Sequence, residues 1–463
     1  MAQDPALTTW VDSDRFVPRR FVRPALAFTD TEASSGIVLM VAAIVALIWA
    51  NMPGGESYAT FWETHVAFSI GPIHLEEALR EVINDGFMAI FFFVVGLEIK
   101  RELVSGELKD RRAAALPAIA ALGGMVVPAV IYVLFVAGSE GVHGWGIPMA
   151  TDIAFSVGVV ALLGRRVPVG AKLFLLALAI ADDIGAILVI ATFYTSDLSF
   201  AYLAAGLVGL AVIYAANRAG VRAVSFYVSL AVVTWFFFLE SGVHATLAGV
   251  AIGLLTPANP LIGSKQFDQL ARRIIDTYPD DDGTEFSRDK VDEEALALAR
   301  LATESVSPLN RLENSLHLWS SFAIVPVFAL ANAGIRFEGV SIGEAITHPI
   351  ALGVAFGLVF GKSIGITTAT WLAVKSGIGK LPSNTEWPHV IGVAMLAGIG
   401  FTVALFVAGL AFPVHAELAD RAKVGIFAGS AISGMLGYLF LRRIKPTHLV
   451  GEHTPHESAP SEA

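Results

Sequence analysis

Apolar residues in this chain fill whole windows rather than recurring at fixed spacings. Each window is close to the roughly 20 residues that a helix needs to cross a hydrocarbon core. They lie near 35–52, 83–103, 114–137, 145–163, 170–194 and 199–217. Six more lie near 223–239, 242–256, 312–335, 349–374, 388–411 and 421–441, the eighth being short and rich in glycine. Water is absent from a bilayer core, so a spanning segment must satisfy its backbone internally. The pattern therefore predicts an all-α polytopic membrane protein with twelve transmembrane helices. Between the first two windows the rhythm changes. "VAFSIGPIHL" alternates around Gly71-Pro72, which predicts a small outer β-hairpin within 57–75.

Basic residues test the count, because Lys and Arg collect on the cytoplasmic side of short loops. With the N-terminus inside, Arg80, Arg336, Arg421 and Lys423 fall outside and Lys362 falls within a span. The rest of the 31 Lys and Arg residues fall inside. A miscounted span would scramble that alternation, so both termini are expected to be cytoplasmic. The leader, 1–34, contains "DRFVPRRFVRPALAF"; prolines interrupt it and no apolar stretch follows directly, unlike a signal peptide. The tail, 443–463, is polar and expected to be disordered. The long inner loop, 257–311, holds "QFDQLARRIID" and "DEEALALARLATES", both with helical apolar spacing, around the turn-rich "YPDDDGTEFSRD". These predict two surface helices at the membrane boundary.

Composition agrees: 55% of residues are hydrophobic, 16% are charged, and the mean hydropathy is +0.66. Soluble proteins carry about 25% charged residues. The absence of cysteine removes disulfides, thiolate chemistry and cysteine-held metal or iron–sulfur sites. The net charge of −10 resides in loops and tail, and no cationic stretch suggests nucleic acid.

Ionisable residues inside spans are functional candidates, because a central charge costs at least about 2.5 to 3.5 kcal/mol. The fifth window, "LALAIADDIGAILVI", carries Asp182 and Asp183 side by side. Adjacent helical positions point about 100° apart, so one carboxylate can face a cavity while the other meets a partner. A dry carboxylate is an oxygen ligand for a hard cation such as Na+, and protons would compete for the same oxygens. A structural pair satisfied by neighbouring backbone is the alternative. Lys362, in "VFGKSIGITTATW", lies too deep to snorkel easily and is the obvious counter-ion.

"WGIPMATDIAFSVGVV" sets Pro148, Thr151 and Asp152 inside the fourth window. Proline removes a helical hydrogen bond and Thr-Asp suits the cap of a restarting helix. The eleventh, "VAMLAGIGFTVALFV", has Gly398 and Gly400 before Phe401-Thr402. Two interrupted segments at corresponding places point to a transporter's midplane site. The remaining candidates lie nearer span ends: Glu98, Lys100, Arg101 and Glu102 in "GLEIKREL", Glu313 and His317 in "RLENSLHLW", and His244 in "SGVHATLAG". Asp85 reads as an N-cap.

From about residue 30 to 442 the chain resembles the NhaA-type Na+/H+ antiporters of bacterial inner membranes. The resemblance is carried by "INDGFMAIFFFVVGLEIKREL", "ATDIAFSVGVVALLGRRVP", "ALAIADDIGAI", "SGVHATLAG", "FALANAG" and "GIGFT", in that order. The family is itself one in which interrupted helices form a midplane site. The resemblance implies a twelve-helix domain over 35–442 with inverted-topology repeats, spans three to five recurring as ten to twelve. Spans 4 and 11 would be discontinuous and cross at the midplane. Asp183 would be the principal Na+ and Li+ ligand, helped by Thr151. Asp182 would pair with Lys362, bind the cation with Asp183 and take part in proton exchange. Asp152 and Lys362 would offset the dipoles of the half-helices. Glu98, Arg101, Glu102 and Glu313, with His244, would belong to pH sensing. The family further implies pH-regulated exchange of two protons for one Na+, no cofactor, and a homodimer joined through the outer hairpin. Two departures fall in the pH-sensing region: a longer loop over about 264–307, and Asn314 where a histidine often follows the glutamate. A cation-coupled organic-anion symporter would need midplane cations beyond Lys362. An intramembrane aspartyl protease would need its aspartates on two helices, and a prenyl-transferring enzyme would need a further Asp beyond "DDIGA".

Overall fold

The computed structural model describes residues 16–444, except 18, 21, 22, 30, 32, 71, 72, 196, 197, 222, 279–284 and 337–341. Most of the expected leader, nearly all of the expected tail and the Gly71-Pro72 turn therefore lie outside the described residues. The apolar windows fold as helices whose ends fall within a few residues of the expected limits, except that the fourth, expected over 145–163, is α-helical only from Ile153. They are α1 (Ser34–Asn51), α2 (Leu79–Val104), α3 (Arg112–Val136), α4 (Ile153–Leu163), α5 (Val169–Phe193) and α6 (Phe200–Arg218). Then come α7 (Val224–Leu239) and α8 (Thr246–Leu255), the helices α9 (Ser264–Asp276) and α10 (Glu285–Glu304) of the 257–311 loop, which no apolar window covers, and α11 (Pro308–Asn332). The last four are α12 (Pro349–Lys375), α13 (Trp387–Leu396), α14 (Phe401–Ala411) and α15 (Ala416–Arg442).

Eight of these are long and apolar enough to cross a membrane. Two further elements are bent pairs. A 3-10 segment, Glu140–Met149, precedes α4 at 41°, and α13 meets α14 at 47°. Counting each pair as one span gives ten, and α7 and α8 are shorter apolar helices. The loop helices expected from the sequence are α9 and α10, which pack against each other. Many apolar side chains stay exposed on the long helices, among them Leu134, Phe193, Phe200 and Val208. Lipid is the solvent in which such a surface has no cost.

Helices in lipid gain little from hiding apolar surface against one another, so they depend on close backbone approach. Gly123 on α3 and Gly365 on α12 show this. A Cβ at Gly365 would stand 2.2 Å from the Gly123 carbonyl oxygen, and one at Gly123 would stand 2.4 Å from that of Gly365. Any side chain there forces α3 and α12 apart.

The expected hairpin is present but displaced from 57–75. Residues Glu56–Trp62 are helical, and the strands are β1 (His65–Ile70) and β2 (Ile73–Ala78), antiparallel with His65 opposite Ala78. The helix forms because Tyr58 and Trp62, one turn apart, bury one face; the Tyr58 hydroxyl lies 2.8 Å from the Ala331 carbonyl oxygen. Asp85 is not an N-cap. It sits within a π-helical turn, Val82–Phe87, and its carbonyl accepts from the Trp235 indole at 3.0 Å.

Candidate functional site

The breaks in the two bent pairs meet. Asp152 caps the N-terminus of α4, its Oδ1 accepting from the Phe155 amide at 3.0 Å. Its Oδ2 accepts from the Thr402 amide at 3.1 Å and the Thr402 hydroxyl at 2.5 Å. One carboxylate thus answers the free N–H groups opening two half-helices, where the positive ends of their dipoles lie. Further bonds bind the breaks together. The Asp152 amide donates to the Ile399 carbonyl at 2.7 Å and the Ser156 hydroxyl to that of Leu396 at 2.9 Å. Ser430 of α15 accepts from the Gly400 and Phe401 amides, both at 3.3 Å. Backbone freed by the breaks is therefore satisfied inside the protein, the condition for non-helical chain at membrane depth.

α5 brings Asp182 and Asp183 to this crossing, both buried. As the helical geometry requires, they do different things. Asp182 Oδ2 forms an ion pair with Lys362 of α12, and both side chains are fully buried. Thr151, in the break, completes the group. Its Oγ1 lies 2.7 Å from Asp182 Oδ2 and 2.8 Å from the Ala397 carbonyl oxygen, and it accepts from Lys362 Nζ at 3.0 Å. Asp183 makes no ion pair with Lys362. Among buried side-chain atoms, Asp182 Oδ1 and Asp183 Oδ1 have no hydrogen-bond partner.

Charge decides what this arrangement can do. Asp152 is answered by the two helix N-termini, so two carboxylates, Asp182 and Asp183, are left against the one ammonium of Lys362, and an unpaired buried charge is strongly disfavoured. The excess negative charge requires a proton or a metal cation. The two orphaned carboxylate oxygens, with the Thr151 hydroxyl and the Ala397 carbonyl nearby, are the hard oxygen donors that an alkali cation takes.

The second expected cluster assembles in part. Arg101 forms an ion pair with Glu313 of α11 and approaches Glu102 at 3.7 Å. Glu98, one turn earlier on α2, lies within electrostatic reach of Glu313 and also of Asp183. His244 does not join them. It sits between α7 and α8, with Nε2 2.7 Å from the Tyr194 carbonyl oxygen at the end of α5. Sequence reasoning passed over Ser430 and Ser156 and gave Thr402 no role. The available signal was a hydroxyl residue inside an apolar window.

The chain is similar to known proteins over most of its length. A family model described as Na+/H+ antiporter 1 matches residues 26–441. The protein from Rhodopirellula baltica called Na(+)/H(+) antiporter NhaA is 46% identical over 431 residues, covering 92% of this chain and 96% of that one. The protein of the same name from Oleidesulfovibrio alaskensis is 46% identical over 430 residues, 91% of this chain and 94% of its own. One called Na(+)/H(+) antiporter NhaA 2, from Pseudomonas syringae pv. syringae, is 45% identical over 431 residues, 92% of this chain and 97% of its own.

Proposed function

The chain belongs to the Na+/H+ antiporter 1 family, whose members are secondary transporters rather than enzymes, and from that premise we propose that it extrudes Na+ in exchange for protons. The observation that carries the reading is the buried Asp182–Lys362 pair beside Asp183 at the crossing of two interrupted helices. Asp183 is the principal cation ligand, for Li+ as well as Na+, with Asp182 and Thr151 completing the site. A cation that takes Asp182 competes with Lys362 for the same carboxylate, and protons compete with the cation for both aspartates. Asp152 and Lys362 compensate charge at the crossing.

Alternating access delivers this site to each side in turn. A cavity of about 760 Å³ containing Glu102, Lys109 and Asp110 reaches Leu176 and Ala177 on α5. It stops six residues, roughly 9 Å along the helix, short of Asp183, and is the approach from inside. Exchange of two protons for one Na+ moves one net charge, worth about 2.3 kcal/mol per 100 mV. The membrane potential then drives extrusion even where the pH gradient is small. The group of Glu98, Arg101, Glu102 and Glu313, tied together by the Arg101 ion pairs, sets the pH dependence, with His244 acting separately from the far end of α5.

The same reading counts α7, α8 and each bent pair as spans, giving twelve over 35–442 with inverted repeats and both termini cytoplasmic. It places the protein in a bacterial inner membrane as a homodimer joined through the outer hairpin. Inside-out vesicles with an acid interior test the central claim. Added Na+ or Li+ should dissipate the pH gradient between pH 6.5 and 9, and Asp183→Asn should abolish the effect. A wild-type gradient that ignores both cations at every pH would refute exchange.

A further inference from the structure

A second cavity, of about 610 Å³, lies beside the acid-bearing one and differs from it in chemistry. It opens between the first turns of α3 and α5 and the loop from α12 to α13. Its walls are apolar, with Leu116, Pro117 and Phe174 at the back and Val169, largely exposed, at the side. Its rim holds Arg165, Lys380, Ser383 and Asn384, and no acid lines it. Among the described residues neither Arg165 nor Lys380 takes part in an ion pair.

The loop that closes the cavity is held in place. A Cβ on Gly170 at the start of α5 would stand 2.3 Å from the Ser383 carbonyl oxygen, and one on Gly379 would stand 2.9 Å from Leu116 Cβ. Contacts this close fix the loop against α5 and α3. The Thr385 amide donates to the Pro382 carbonyl at 3.1 Å. Within that turn Asn384 takes φ 58°, a left-handed conformation that no other non-glycine adopts among the described residues. Backbone strain of this kind persists where surrounding structure enforces it.

An apolar cleft with two unpaired cations and two side-chain hydrogen-bond donors at its mouth is complementary to an anionic amphiphile. A cation on its way to Asp183 gains nothing from it. Its volume falls in the range of small-molecule sites, and basic pockets between transmembrane helices suit phosphate headgroups. We propose that this cavity binds an anionic phospholipid. The phosphate rests on Arg165 and Lys380, with Ser383 and Asn384 donating, and an acyl chain enters past Val169 between α3 and α5. Arg165, Lys380 and their loops lie on the side read as cytoplasmic, so the choice of leaflet rests on the proposed topology. Binding itself does not depend on that topology.

Native mass spectrometry of the full-length protein released from detergent tests this without any transport assay. Phosphatidylglycerol should be retained about tenfold or more over phosphatidylcholine of the same chains. The double variant Arg165→Gln/Lys380→Gln should lose that preference, since each basic contact adds an electrostatic increment. Arg218→Gln/Arg300→Gln, which removes equal charge elsewhere, should keep it. A phosphatidylglycerol with a photoreactive chain should cross-link within Val169–Ala177. Equal retention of the two lipids, equal loss in both double variants, or cross-links confined to other segments would overturn the proposal. Displacement by millimolar inorganic phosphate would identify a free-anion site and also refute a lipid one.

Discussion

Lys362 and Asp182 are fully buried and joined, so a change that removes only one of them strands the other's charge. Removing one member of a buried pair typically costs about 3 to 5 kcal/mol, whereas replacing both can be close to neutral. The surroundings offer little relief. Thr151 Oγ1, 3.0 Å from Lys362 Nζ and 2.7 Å from Asp182 Oδ2, is the other side chain bonded to both. Lys362→Gln and Asp182→Asn should each destabilise by about 3 to 5 kcal/mol, and the double variant by less than either. Equilibrium unfolding in mixed micelles, followed by the intrinsic fluorescence of the eight tryptophans, measures all four species. The two single variants differ in a second way. Lys362→Gln leaves a carboxylate that Na+ or acid can neutralise, so its stability should recover as either is added. Asp182→Asn leaves an ammonium whose remaining charge partner is Asp183, so neither Na+ nor acid relieves it. Single costs below about 1 kcal/mol, or a double variant costing the sum of its parts, would refute the pairing as the main restraint on these charges.

Other contacts give sharper, smaller tests. The Tyr58 hydroxyl lies 2.8 and 3.0 Å from the carbonyl oxygens of Ala331 and Leu330 and accepts from the Gly334 amide at 3.1 Å, so Tyr58→Phe should cost about 1 to 3 kcal/mol. Burial pushes this phenol from 10.0 up to about 12. The folded state therefore holds its proton where the unfolded state releases it. Stability should be full below pH 10 and fall by about 3 kcal/mol on rising through pH 12, a loss that Tyr58→Phe should lack in alkaline unfolding titrations. Ser430→Ala deprives the Gly400 and Phe401 amides of their side-chain acceptor and should cost about 1 to 2 kcal/mol; an unchanged unfolding midpoint would show that those amides find another partner.

Much of the architecture was legible because the bilayer sets one length scale. Windows such as 170–194 and 349–374 needed only counting, and their helices run Val169–Phe193 and Pro349–Lys375. Pro148 with Asp152, and Gly398 with Gly400, marked both breaks, because proline and glycine act on the backbone locally. The hairpin limits were missed because Tyr58 and Trp62 are apolar in a stretch too short to show a helical period; what holds them is a contact with Ala331. The partnerships across the crossing were also hidden. Thr402 meets Asp152 across 250 positions and Arg101 meets Glu313 across 212. Which hydroxyl reaches which carboxylate depends on how helices cross, a quantity that local periodicity does not contain.

The contacts at the site divide by what could exchange them. The crossing is tied by Asp152 to Phe155 and Thr402, by the Asp152 amide to Ile399, and by Ser156 and Ser430 to backbone groups. All of these satisfy fixed dipoles or backbone that has no alternative partner in lipid, so neither a proton nor Na+ has reason to disturb them. The Asp182–Lys362 pair is the opposite case. Both partners are side chains on separate helices, Asp182 keeps one oxygen without a partner, and so does Asp183. A cation arriving there would alter that ion pair and the Thr151 bonds to Asp182 and the Ala397 carbonyl, and leave the bonds made by Asp152, Ser156 and Ser430 intact. On the proposed reading, that is why the aspartates stand side by side on an unbroken helix while the broken helices hold their own ends with Asp152. On that reading the bound ion would be exchanged at α5, and the crossing against which it is held would move as one piece.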